Sequence, residues 1–190
     1  MTLSSRKILI LHGWESAPQE HWFWKAKEKF EKAGAEVFVP KMPGAYFPKK
    51  EEWLKVVADY HPDENWTLIG HSLGGVAVLK YLESATENIH QTILIATPAE
   101  PMKFNPIANF FTRPPSLRSG VSGQAGGFEY QNIKQRAGQI DIITEDDDPV
   151  VPLDHAKILA KNLDAKLHIH RGYTHCDILD LDFLQSILLK

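Results

Sequence analysis

Thr67-Leu68-Ile69-Gly70-His71-Ser72-Leu73-Gly74-Gly75-Val76-Ala77 runs from an apolar strand-like segment through a glycine-bracketed serine into a helical pattern. A serine hydroxyl that must stand above a sheet needs a very sharp strand-to-helix turn and strained dihedrals. Glycines two residues to either side let the two backbones pass closely. The next amide, that of Leu73, is one of the donors a helix N-terminus leaves unsatisfied, and the helix dipole favours negative charge there. It is therefore a donor for a developing oxyanion. A bare Gly-x-Ser-x-Gly is a weak pattern, but a strand before it and a helix after it are the context the chemistry requires. Ser72 is read as a nucleophile.

Outward from this turn the chain alternates. Short continuous apolar runs at Lys7 to Leu11, Ala35 to Val39, Trp66 to Ile69, Thr92 to Ala96, Ile140 to Thr144 and Leu167 to Ile169 have the pattern of strands buried on both faces. Between them, apolar residues recur at three- and four-residue steps, as at Trp22, Ala26, Phe30 and Ala33, then Trp53, Val56, Val57 and Tyr60. Val76, Leu79 and Leu82 continue the series, and Ile158, Leu159, Leu163 and then Ile178, Leu181, Leu184 and Leu188 close it. Strand, helix, strand, helix predicts an α/β fold, one domain over residues 1–190, with about six mostly parallel strands and helices on both faces. One proline- and glycine-rich interval, Pro98 to Gly127, has no sustained period. It is expected to be either an active-site flap or a surface excursion.

A hydroxyl is a poor nucleophile until an imidazole takes its proton, and the imidazole needs an acid to hold its tautomer. Glu145-Asp146-Asp147-Asp148-Pro149-Val150-Val151-Pro152 follows the fifth strand, and His175 follows the sixth. The order Ser, acid, His matches what a nucleophile turn of this kind demands. The acid is expected within the aspartate run. His168 and His170 are rivals for the base, but they fall inside the sixth strand rather than beyond its end. A sheet ordered 2-1-3-4-5-6 has its switch point between strands one and three. His12-Gly13-Trp14, ending the first strand, then arrives beside Ser72, and the amide of Trp14 is the candidate second oxyanion donor. His12-Gly13 has the alternative role of packing the turn. His71 reads as structural, and His21-Trp22-Phe23-Trp24 as a helix face buried in the core.

A formal net charge of −3 supplies no electrostatic reason for a nucleic-acid or anionic-membrane partner. The single cysteine, Cys176, cannot form an internal disulfide. The polar Met1–Lys7 segment has no apolar stretch of signal-peptide length, so a cytoplasmic location is expected. His168, His170, Cys176 and Asp177 lack the paired spacing of metal ligands. No metal and no organic cofactor is expected.

Taken together, Ile10-Leu11-His12-Gly13-Trp14, His21-Trp22, Trp53, Gly70 to Gly75, Asp147-Asp148-Pro149 with Val151-Pro152, and His175 resemble the small serine hydrolases of the retinoblastoma-binding and YdeN-like family. The resemblance runs nearly end to end. It implies an α/β-hydrolase fold without a large cap domain, Ser72 as nucleophile, Asp148 as acid and His175 as base. Pro149 agrees with that acid, since its ring biases Asp148 to an extended conformation and stiffens the loop; Asp147 is its competitor. The retinoblastoma-pocket motif Leu-x-Cys-x-Glu is absent, so the resemblance does not imply that partner, and the sequence names no other. The expected activity is acyl transfer to water from a small-molecule ester, thioester or amide. A non-catalytic binding module on the same scaffold and an acyltransferase with the same residues are the alternatives.

Overall fold

The computed structural model describes residues 3–102, 105–111, 127–172 and 174–189. Six parallel strands, β1 (Lys7–Leu11), β2 (Glu36–Phe38), β3 (Trp66–His71), β4 (Gln91–Ile95), β5 (Gln139–Glu145) and β6 (Lys166–His170), form one sheet in the order β2-β1-β3-β4-β5-β6. Helices α1 (Phe23–Lys32), α2 (Lys50–Asp59), α3 (Leu73–Leu82), α4 (Tyr130–Arg136), α5 (Leu153–Leu163) and α6 (Leu181–Leu188) connect and follow them. This is the expected α/β architecture, and the expected strand order.

The alternation of side chains along each strand divides the core in two. Leu9 and Leu11 of β1, Leu68 of β3, Leu94 of β4 and Ile142 of β5 face α2, α3, α4 and α5. Ile8 and Ile10, Ile69, Ile93 and Ile95, and Ile143 face the opposite way, onto α1 and α6. A sheet covered on both sides explains why its central strands read as continuous apolar runs. Helix α3 is buried from Leu73 to Lys80, which is why its apolar residues go round the helix rather than forming a stripe. The one charge in that stretch, Lys80, pairs with Glu83 at 2.8 Å, donates to the carbonyl of Gly127 and lies over the ring of Phe128.

Two features depart from the expectation. Helix α4 was not anticipated, because its seven residues are too few to display a period. The aperiodic interval from 98 to 127 also contributes to the core: a 3₁₀ helix, Asn105–Phe111, buries Ile107, Phe110 and Phe111. Residues 103–104 and 112–126 of the expected flap lie outside the described residues. Among the described residues, no helix is long and apolar enough to cross a membrane.

β1 and β3 are neighbours, with Leu11 opposite Gly70. Helix α3 springs from the end of β3 and passes over both strand ends. A Cβ at Gly74 would stand 2.3 Å from the Leu11 carbonyl oxygen, and one at Gly70 2.4 Å from the Gly75 Cα. Gly74→Ala would raise intrinsic helix propensity, yet it drives a methyl group into backbone that has nowhere to go. It is expected to lower stability by about 3 kcal/mol, roughly 6–12 °C in Tm for a chain of this size. Gly172→Ala meets no atom within 4 Å and strains only a φ of +84, so a loss of about 1 kcal/mol is expected. Thermal melts followed by circular dichroism compare the two, and equal Tm values would contradict the close-packing argument.

Candidate active site

Ser72 occupies the turn between β3 and α3 with φ 52 and ψ −120, a conformation that L-residues rarely adopt. Such a conformation costs on the order of 1–3 kcal/mol and survives only where the surroundings impose it. Here the Ser72 amide donates to the Ile95 carbonyl at 2.8 Å, extending the ladder with β4 past the strand end. The Ser72 carbonyl accepts from the amides of Gly75 and Val76. The chain is thus held on both sides of the strained residue, and Ser72 itself is only half-buried. Leu73 opens α3, so its amide has no helical acceptor upstream.

The turn after β1 closes on Ser72 from the other side. A Cβ on Gly13 would lie 3.1 Å from Ser72 Cβ and 3.6 Å from His71 Nδ1, so the two turns approach closely enough that a side chain here would have to push Ser72 aside by a few tenths of an ångström. His12 fixes that turn from within the core. Its Nε2 accepts from the Met42 amide at 3.0 Å, which leaves the proton on Nδ1 to donate to the Gly13 carbonyl at 2.9 Å. The indole of Trp14 donates to the Tyr46 carbonyl at 3.1 Å, and the Glu15 amide to that of Ala45 at 3.0 Å. The expected donor residues Trp14 and Leu73 therefore sit one residue beyond Gly13 and Ser72, at two turns that touch.

The three aspartates have three different partners. Asp146 makes a two-point pair with Arg171, at 3.1 Å to Nε and 2.9 Å to the guanidinium NH2 group, at the surface. Asp147 accepts from the Gly172 amide at 3.2 Å. Asp148 has a fully buried side chain and meets His175 Nδ1 at 2.8 Å through Oδ2. Its Oδ1 accepts from the amides of Val150 at 2.7 Å and Val151 at 2.9 Å. Burial disfavours the Asp148 carboxylate, but the bond and charge of His175 and the two amides outweigh it and hold the carboxyl below its ordinary range. With the Nδ1 proton committed to Asp148, the Nε2 of His175 is left to act as a base.

His168 and His170 lie in β6, as expected, and pack against Phe183 of α6. His168 pairs with the buried Asp141 at 2.8 Å, four residues before the C-terminal end of β5. That is an Asp–His pair, but at the wrong edge of the sheet. Among the described residues, no group of three His, Cys, Asp or Glu side chains could hold a metal ion.

The loop carrying His175 is clamped by residues from the opposite end of the chain. Thr174, His175 and Cys176 have φ values of 50, 60 and 53. The Trp22 indole donates to the Cys176 carbonyl at 3.0 Å. His71 Nε2 donates to the His175 carbonyl at 2.8 Å, and the two rings lie 5.0 Å apart. His71 is in turn enclosed by the rings of His21, Trp22 and Phe23. The expectation of a buried helix face is met by Trp22 and Phe23, whereas Trp24 is 42% exposed and His21 pairs at the rim with Asp177. The bracing of His175 by Trp22 and His71 has no sequence signal, since 104 residues separate His71 from its acceptor.

A parallel sheet in this order, with a strained serine at the β3–α3 turn and an Asp–His pair on the loops after β5 and β6, defines an α/β hydrolase. Residues 8–180 match the serine hydrolase family, and the chain belongs to it. It is 28% identical over 168 residues to YdeN of Bacillus subtilis (strain 168), covering 86% of this chain and 82% of YdeN. It is 26% identical over 160 residues to the serine hydrolase RBBP9 of Rattus norvegicus, covering 83% and 74%. The crystal structure of the B. subtilis ydeN gene product superposes with a TM-score of 0.80 at 26% identity, covering 97% of this chain and 100% of that one. Est1E from Butyrivibrio proteoclasticus, at 19% identity, shares the fold with a TM-score of 0.69 over 97% and 86%.

Burial lowers the pKa of His71 from 6.5 to about 3, helped by the neighbouring His175, so His71 is neutral in the folded protein. The unfolded chain binds the extra proton at ~6.5, so stability falls as the pH drops below that value and keeps falling toward pH 3. Between pH 7 and pH 5 the loss from this one group is about 2 kcal/mol, roughly 4–8 °C in Tm. His71→Gln keeps a side-chain donor and removes the titration. Its Tm is expected to fall less than that of the wild type over the same interval, by about that difference. Parallel slopes for the two proteins would contradict the assignment.

Proposed function

We propose that this serine hydrolase cleaves a carboxylic ester, thioester or amide through a Ser72 acyl-enzyme, with His175 as general base and Asp148 as the acid that orients it. The observation that carries the reading is the 2.8 Å bond between buried Asp148 and Nδ1 of His175, whose carbonyl accepts from His71, the chain neighbour of Ser72. In this reading His175 Nε2 takes the Ser72 proton as Oγ adds to the substrate carbonyl carbon. The amides of Leu73 and Trp14 stabilise the oxyanion. Collapse expels the leaving group, which takes the proton from His175, and a water activated by the same imidazole releases the acid.

The surface around these loops bears on the substrate. Six large hydrophobic residues are exposed among the described residues, and four of them lie on loops leaving the C-terminal ends of strands: Tyr46, Phe47, Val150 and Ile178. Tyr46 lies beside Trp14, and Val150 and Ile178 are close in sequence to Asp148 and His175. An apolar rim at this edge of the sheet favours a small-molecule substrate with an aliphatic or aromatic acyl group.

Ser72→Ala is expected to remove turnover of a p-nitrophenyl ester by ~10⁴-fold or more and to abolish labelling by a fluorophosphonate, with the fold unchanged. A folded wild type that the probe does not label would favour a binding module instead. Product analysis with competing alcohols distinguishes hydrolysis from acyl transfer to another acceptor.

Among the aspartates, Asp148→Asn should lower kcat by ~10³–10⁴-fold. Asp146→Asn should leave kcat near the wild-type value, and Asp147→Asn should lose far less than Asp148→Asn. A full-sized loss at Asp147 with a near-normal Asp148 variant would overturn the acid assignment and leave the hydrolase reading standing.

A further inference from the structure

Glu145, the last residue of β5, is completely buried, and neither of its carboxyl oxygens has a hydrogen-bond partner. Buried polar groups left in this state are rare enough to need a reason. The groups facing it come from two loops. Glu145 has the strand parity of Ile143, whose side of the sheet buries Cys176, and its carboxyl feels the amides of Cys176 and His175 and the charges of Asp148 and Asp147 from the loop that follows β5.

The residues above it are the three consecutive left-handed ones, Thr174, His175 and Cys176, none of which is glycine. Three such residues in a row persist only if every side of the segment is held. The carbonyl side is held by His71 and Trp22, and the His175 ring by Asp148. On the amide side, the group that the His175 and Cys176 amides act on is Glu145.

We propose that Glu145 is a positioning residue for the catalytic histidine: its carboxyl is the buried acceptor beneath the His175 and Cys176 amides, and it sets the left-handed turn that brings the imidazole to Asp148 and Ser72. Burial, together with the charges of Asp148 and Asp147, raises the Glu145 carboxyl above its ordinary range against the pull of the two amides. The assignment rests on the proposed role of His175.

The test uses two near-isosteric variants. Glu145→Gln keeps the acceptor and the size, and Glu145→Met keeps the length and removes the acceptor. Steady-state kinetics on one p-nitrophenyl ester should give E145Q a kcat within about 3-fold of wild type. E145M should lose ~10–100-fold in kcat, the size seen when a residue supporting a reactive group is removed, with KM little changed. The downfield proton resonance of the His175–Asp148 bond supplies a readout independent of turnover: present in wild type and E145Q, broadened or lost in E145M. Should E145M not fold, Glu145→Asp withdraws the carboxyl by one methylene and carries the same expectation. Wild-type kcat and resonance in E145M, or in E145D where E145M does not fold, would overturn the proposal. So would an E145Q variant as impaired as E145M. Ser72→Ala run alongside separates the two readings. Loss of Ser72-dependent turnover in the wild type defeats the hydrolase mechanism, and the resonance then decides the role of Glu145 alone.

Discussion

The backbone of α3 crosses the ends of β1 and β3 at a separation that admits no side chain. Gly74 lies against the carbonyl of Leu11, and Gly70 lies against Gly75. Everything at the C-terminal edge of the sheet follows from this contact. It pins the start of α3 directly above the strand end, so the residue between them must reverse the chain in a single step. That residue is Ser72, and its positive φ is the geometric consequence. The strain is spread over a ladder bond to Ile95 and the first amides of α3, none of which can relax without unpacking the central strands. A hydroxyl at this corner is raised above the sheet and stays there.

The histidine loop solves a different problem. A serine on a rigid turn is useful only if the imidazole meets it at a constant angle, and loops are the least stable part of a fold. Here the loop after β6 is fastened at each carbonyl and at the ring. Trp22 comes from the start of α1, His71 from the end of β3 and Asp148 from the loop after β5. Each of the three is itself buried or braced, so the loop inherits the rigidity of the core on both faces of the sheet. The neutral state of His71 belongs to this arrangement. In the proposed mechanism, a charged imidazole next to His175 would disfavour the imidazolium that proton transfer creates.

The aspartate run shows how one composition supports three functions. Adjacent carboxylates repel one another unless they are separated in space or partnered. The chain does both. It turns Asp146 outward to Arg171, lends Asp147 to a backbone amide across the loop, and tucks Asp148 inward against two amides and an imidazole. The Asp148-Pro149-Val150-Val151 segment closes its own turn on Oδ1, which leaves Oδ2 to face His175.

Much of this protein was legible in the chain alone because its strongest signals are local. Continuous apolar runs and three-to-four-residue periods report burial on two faces and on one. Gly-x-Ser-x-Gly between a strand and a helix reports a close backbone crossing, because only glycine permits it. These determined the α/β class and the strand order, and they marked the serine turn with the candidate acid and histidine that follow it. What remained open depended on which residues meet across long separations. The choice among Asp146, Asp147 and Asp148 turns on which one is buried against an imidazole 27 residues away. The bracing by Trp22, 154 residues from Cys176, leaves no periodicity to detect. Helix α4 and the 3₁₀ helix before it are too short for a pattern and exist because Phe110, Phe128 and Ile133 find the core. Local physics writes the elements into the sequence, whereas the partner of a buried polar group is decided only when distant segments pack and exclude water from it.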